Sequence, residues 1–183
     1  MAQSIFVTYK SVFRFIAVFV GTYIALSLLY SGYLYLSKDG SYRPDYITHL
    51  VAQHSNALVE GWGYDSNLIP DKSLPMLQMH VNGTYVGRII EGCNALSIMI
   101  LFVSFVISFW QGTKKTLIFI LAGTALIYAI NVLRIAILAI ALYHYPEKES
   151  LLHGTLFPAV IYSLVFLLWV AWIRSIKKPI SNE

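Results

Sequence analysis

Three residues of this 183-residue chain carry side chains suited to covalent chemistry at a carbonyl, and each lies in or beside a long apolar run. Cys93 is the single cysteine, so no intramolecular disulfide can form, and its thiolate is a nucleophile. His153 can take a proton from a thiol and return it to a leaving amine. Arg134 stays charged at ordinary pH and offers planar donors to a thiolate, an oxyanion or a carboxylate. Together they are a nucleophile, a proton carrier and an anion stabiliser, the set needed for acyl transfer through a thioester. That chemistry calls for no metal and no organic cofactor. Each residue also has a plainer role open to it. Cys93 can be a small buried hydrophobe, His153 an ordinary interfacial side chain, and Arg134 a donor to backbone carbonyls or lipid phosphates.

The elements that must position these residues are membrane helices. The chain is 57% hydrophobic and 12% charged, with a mean hydropathy of +0.65, whereas a soluble domain is about 25% charged. Four apolar runs, about residues 15–36, 93–110, 117–143 and 156–173, approach the roughly 20 residues that a helix needs to cross a bilayer core. Continuous runs predict helices, since barrel strands alternate apolar and polar residues. The expected fold is therefore an all-α integral membrane protein with about four transmembrane helices. The first run is too long for a signal-peptide core and no small-x-small site follows it, so it reads as a retained anchor. Arg134 is the one charge inside the four runs; an arginine at mid-membrane costs about 2.5–3.5 kcal/mol on insertion scales, so it is expected to face a cavity or partner.

Charge sets the expected direction. Lys10 and Arg14 precede run one, Lys114 and Lys115 lie between runs two and three, and Arg174, Lys177 and Lys178 follow run four; Glu183 is the one acid with them. Segment 38–92 has four basic and six acidic residues. The positive-inside rule then predicts a multi-pass protein of the cell inner membrane with both termini cytoplasmic. Segments 38–92 and 144–154 would face outward, and Cys93, Arg134 and His153 would point toward the same periplasmic side. The net charge of +4 gathers beside the apolar runs and is no nucleic-acid signal. The organisation expected is a tail and first helix over 1–37, an extracytoplasmic segment over 38–92, a catalytic core of helices 2–4 over 93–173, and a basic cytoplasmic tail over 174–183.

The outer segment is expected to carry a short helix and a β-hairpin. After the turn-rich Lys38-Asp39-Gly40-Ser41, Pro44 and Asp45 start a helix running to about Leu58, with Tyr46, Leu50, Val51 and Leu58 on its apolar face. His49 and His54 fall on its wetter side, five apart, which does not suit joint metal binding. Residues 61–75 read as loop. Asn82-Gly83 between 76–81 and 84–89 predicts a type I′ hairpin, which accounts for the Asn82-Gly83-Thr84 sequon better than glycosylation does. The hairpin runs into Glu91-Gly92-Cys93-Asn94, placing Cys93 at or near a helix start, where amide dipoles favour a thiolate. Asn131, three residues before Arg134, shares its helix face and is placed to orient it, and Glu91 is placed to bias His153. Pro158 is read in the first turn of the fourth helix.

Glu91-Gly92-Cys93-Asn94-Ala95-Leu96, Asn131-Val132-Leu133-Arg134-Ile135 and His153-Gly154 follow one another in an order and membrane placement that resembles the exosortase/archaeosortase family, nearest its short exosortase F-like branch. The resemblance covers about residues 88–173. It implies a membrane cysteine protease/transpeptidase that recognises a C-terminal sorting signal (a short motif, a hydrophobic helix and a basic tail) on exported proteins. Such an enzyme cleaves at the motif and passes the new carboxyl end to an envelope acceptor, often a lipid or glycan. By matching positions Cys93 is the nucleophile, His153 the acid/base and Arg134 the stabiliser. The chain departs from the family in having Asn94-Ala95 where many members have Ser-Gly, and in being shorter than members with about eight spans. The shorter length implies a smaller groove or an accessory membrane protein. A different class of reading is a non-enzymatic assembly or scaffolding subunit in envelope biogenesis, with Arg134 paired to an acid on a partner helix. A transporter fragment is a third.

Overall fold

The computed structural model describes residues 9–176 apart from 39, 41, 43 and 72. Asp39 and Ser41 of the turn-rich stretch, and Lys177, Lys178 and Glu183 of the basic tail, lie outside the described residues. The protein is mostly helical (76%), with three long apolar helices and a small three-stranded sheet.

Among the described residues three helices are long and apolar enough to cross a membrane: α1 (Lys10–Ser37), α4 (Thr113–His144) and α5 (Pro146–Ile176). The chain is accordingly membrane-embedded, and α1, which buries none of its residues in the protein, has side chains suited to lipid. The second predicted crossing is shorter than its apolar run. Its helix, α3 (Leu96–Ser108), has 13 residues and spans about 20 Å, against about 30 Å for a bilayer core. The run is cut at its start because residues 91–94 form a 3₁₀ turn and Ala95 turns the chain with φ 62°. It is cut at its end by Gly112, whose φ of 86° makes the reversal into α4.

Helices pack through aromatic rings. Phe15 of α1 meets Phe109 at 4.8 Å and Phe105 at 6.0 Å. Phe105 stacks on Trp169 of α5 at 4.4 Å, and Phe119 lies 4.7 Å from Trp172. Gly123 of α4 admits the buried Phe102 ring of α3 where any other residue would place a Cβ. The start of α4 and the end of α5 meet at one end of this bundle, where Lys115 Nζ donates to the Ser175 carbonyl at 2.7 Å.

The other end carries the expected outer segment. Its helix, α2 (Tyr46–Gly61), begins where predicted, with the buried Asp45 carboxylate accepting from the Ile47 and Thr48 amides. Its buried face differs from the expected one. Thr48, Val51, Ala52, Ser55 and Val59 face inward, while Tyr46 is 52% exposed and Leu50 and Leu58 are half-buried. The polar members of this face are affordable because they are paired: Thr48 Oγ1 donates to Asp45, and Ser55 Oγ donates to the Val51 and Val132 carbonyls. His54 is exposed as expected and bonds the Tyr128 hydroxyl at 2.7 Å, but His49 is half-buried beside Tyr42.

The hairpin is β2 (Leu77–Val81) and β3 (Thr84–Ile89), with Asn82 and Gly83 both at positive φ as a type I′ turn requires. A further strand, β1 (Ser66–Pro70), lies in the stretch read as loop, and the antiparallel order is β1-β2-β3. Asp71 makes the turn between β1 and β2, accepting from the amides of Ser73 and Leu74, the Ser73 hydroxyl and the Gln78 amide, bonds that hold its carboxyl down at about 2. Alternating Leu77, Met79 and Val81, with Val86 and Ile89, form one core with α2 and with Val132, Ile135, Ala136 and Ala139 of α4. One face of the far half of α4 is therefore covered by protein, while Leu133 and Ile137 remain exposed.

Gly123→Ala tests the closest helix contact. The added methyl displaces the Phe102 ring, an overpacking that costs about 1–3 kcal/mol. The expected outcome is a lower thermal midpoint in detergent with unchanged membrane insertion.

Candidate active site

The site is built around the turn that carries Cys93. Cys93 is half-buried in the 3₁₀ turn Glu91–Asn94, with its amide donating to the Ile90 carbonyl at 2.8 Å. It thus stands three residues before the first residue of α3, with Asn94 and Ala95 between them. Its own carbonyl accepts from Asn131 Nδ2 at 2.7 Å. Asn131 is fully buried, and its Oδ1 takes the Arg134 Nη1 donor at 3.4 Å. One asparagine thus links the turn carrying the thiol to the guanidinium, the orienting task that its position on the α4 face suggests.

Asn94 turns the other way. Its Nδ2 donates to the Tyr30 hydroxyl of α1 at 2.8 Å and to Thr48 Oγ1 of α2 at 3.0 Å, and its Oδ1 accepts from the Leu96 amide at the start of α3. Asn94 is therefore a buried anchor, with its polar atoms spent on scaffold. Tyr33, one turn after Tyr30 on α1, donates to Asp45 at 3.0 Å. The first helix thereby holds both the Cys93 turn and the cap of α2.

A cavity of about 480 Å³ opens beside this turn, and Cys93, Arg134 and His153 all line it. Its walls are β3, the far half of α4 and the start of α5, which makes it large enough for a small peptide segment. Arg134 is half-buried, lies close enough to Cys93 to interact with it electrostatically, and keeps a buried Nε with no partner among the described residues. A second cavity, at the opposite end, is lined by Lys114, Lys115, Phe119, Trp172 and Ser175, with no cysteine or histidine.

His153 is exposed at the cavity wall within a π-helical stretch, Leu152–Leu156. The fourth predicted span began at about residue 156 with Pro158 in its first turn. The helix instead starts at Pro146 and runs through to Ile176, so Pro158 is internal. A proline inside a helix lacks an N–H and crowds the carbonyl four residues back, here that of Gly154. The wider π turn relieves that conflict at the position that presents His153. Glu91 is half-buried and is not among the residues lining the cavity. Glu149 and Arg88 line the cavity instead. Both were overlooked in the sequence; extending the last helix back to Pro146, a favourable first helical residue, would have placed Glu149 four residues before His153.

Depth explains how Arg134 is tolerated. A bilayer core is crossed in about 20 helical residues. Counted from Lys114 that distance ends at Arg134, and counted back from Arg174 it ends at Gly154. By this count Arg134 and His153 fall about one bilayer-core length from the basic residues at the other end of their helices. Among the described residues no group of three or more His, Cys, Asp or Glu could hold a metal ion. No family model, no curated protein and no solved structure matches the chain.

Ala95 is one of two non-glycine residues at positive φ among the described residues, a conformation costing an L-residue about 1 kcal/mol or more. Ala95→Gly is expected to stabilise the protein by about 0.5–1 kcal/mol, the relief being offset in part by the lost methyl burial. A rise in the thermal midpoint, with Cys93 thiol reactivity unchanged, is the measurement that checks it.

Proposed function

We propose that this protein is a membrane cysteine peptidase/transpeptidase that cleaves C-terminal sorting signals of exported proteins, acting as the exosortase/archaeosortase resemblance implies. The observation that carries the reading is the lining of one cavity by Cys93, Arg134 and His153, three residues from three separate segments. The turn after the thiol adds support. Residue 95 has the positive φ that glycine adopts freely, and glycine is what many family members have there.

In the proposed mechanism His153 takes the Cys93 proton and the thiolate attacks a substrate carbonyl. A C–S bond forms and the carbonyl π electrons move to oxygen. Arg134, with donors left unpaired, stabilises the oxyanion. Collapse restores the C=O bond and breaks the C–N bond, with the imidazolium protonating the leaving amine. A thioester remains on Cys93. An acceptor amine or water then adds to it and expels the thiolate. The proposed setting is the inner membrane crossed four times, with the Glu91–Asn94 turn making up the length that α3 lacks, both termini cytoplasmic and the cavity on the periplasmic side. The partners are the sorting signal, membrane lipid and an accessory membrane protein. As an assembly subunit the protein would need Arg134 to face a partner helix, whereas its side chain lines the cavity.

Cys93→Ala is expected to leave insertion and accumulation intact while exported proteins with a C-terminal hydrophobic helix and basic tail keep that tail. C-terminal peptide mapping of the envelope proteome reads the outcome. An unchanged set of mature C-termini in the variant would sink the enzymatic reading. Arg134→Lys keeps the charge but loses the planar donors, and is expected to lower processing by about 10²-fold, the order seen for loss of one oxyanion donor. Wild-type processing rates in pulse-chase would reduce Arg134 to a simple charge.

A further inference from the structure

The cavity touches six consecutive residues, 85–90. Side chains alternate between the two faces of a strand, so a cavity bounded by a face would meet every second residue. This cavity meets all six and also Met79 of β2, with Val86 bulged out of the β2 pairing, so it follows β3 from the sheet face against α4 round to the free edge. β3 is an edge strand, with β2 on one side and no strand on the other. Half of its backbone N–H and C=O groups therefore point away from β2. Among the described residues no hydrogen bond outside the β2 ladder reaches the backbone of Thr84–Ile89.

This free edge leads to the nucleophile. Cys93 follows the end of β3 by four residues, and its amide is bonded to the Ile90 carbonyl. Across the groove stand Ile135, Leu138 and Leu142 of α4. The bulge at Val86, opposite Met79 and His80, and Arg88 with no ion pair among the described residues, discourage edge-to-edge pairing of two copies. The six-residue edge is about 20 Å long.

We propose that the protein binds its substrate as an extended peptide added to the outer edge of β3, held by main-chain hydrogen bonds that deliver the scissile carbonyl to Cys93. This rests on the thiol-peptidase reading above and names how that site takes its substrate. Main-chain pairing supplies affinity, and the apolar α4 wall and Arg88 sample alternate side chains. The occupant is an unfolded segment, so a folded domain must present a flexible stretch to be cut.

The test uses the full-length protein in detergent and a pool of acetylated pentapeptidyl chloromethyl ketones with mixed Ala, Leu, Ser and Asp at each position. Five further pools each carry one N-methylated amide. Chloroacetone is the electrophile without a peptide, and intact mass with peptide mapping follows alkylation of Cys93. The parent pool is expected to react about tenfold faster than chloroacetone. N-methylation should slow it by about three- to tenfold at alternate positions, the loss of one hydrogen bond each, with little effect between them. A parent pool no faster than chloroacetone, or N-methyl effects that are absent or uniform, would overturn strand pairing while alkylation by chloroacetone leaves the thiol site standing. Failure of every electrophile to reach Cys93 would overturn both.

Discussion

The arrangement depends on two buried asparagines that grip one short turn from opposite sides. Asn131 donates to the Cys93 carbonyl, and Asn94, the next residue in the turn, donates to Tyr30 and Thr48. Neither amide has water to fall back on, and an unpaired buried polar group costs about 1–3 kcal/mol. The turn is thus tied to α4, α1 and α2 together, and none of the three can shift without stranding a polar group. Asp45 extends the tie, since its carboxylate serves both the cap of α2 and the Tyr33 hydroxyl of α1. What would be a bare anchor helix is in this way part of the frame that sets the position of the thiol.

The second constraint is length. α4 has 32 residues, about 48 Å, and overshoots a bilayer core by about 18 Å. The excess is the part that α2 and the sheet cover, through Val132, Ile135, Ala136 and Ala139. A guanidinium at that level is shielded from hydrocarbon, yet near enough to solvent to keep its charge. The same covering makes one wall of the cavity, so tolerance of the arginine and formation of the site have one cause.

The long helices were legible in the sequence because continuous apolar runs leave little choice of structure. Asn82-Gly83 was equally plain, since few dipeptides accept two positive φ values. The buried face of α2 was not, because Thr48 and Ser55 look solvent-facing until their partners, Asp45 and the Val132 carbonyl, are brought in by tertiary contact. β1 was hidden for a related reason: Ser66 is buried only through bonds to Asn56 and the His80 carbonyl, and Pro70 is tolerable only at a sheet edge. At the site, Cys93, Arg134 and His153 stood out by type and placement. Glu149 and Arg88 did not, since a surface acid and a strand arginine carry no signal until a cavity gives them a common neighbour.

A sheet in a chain of this kind has a physical task beyond decoration of the outer surface. Helices satisfy their own backbones and offer a substrate little but side chains. An edge strand offers unpaired main-chain groups in a fixed row. Here β3 and the Cys93 turn supply walls of the cavity that the long helices alone would leave open. The hairpin turn, the Asp71 turn and the Asn94 anchor then act on one object, the alignment of the β3 edge with the Cys93 turn. Loosening any of them moves the edge relative to the thiol, so residues far from the sulfur bear on its reaction through position alone.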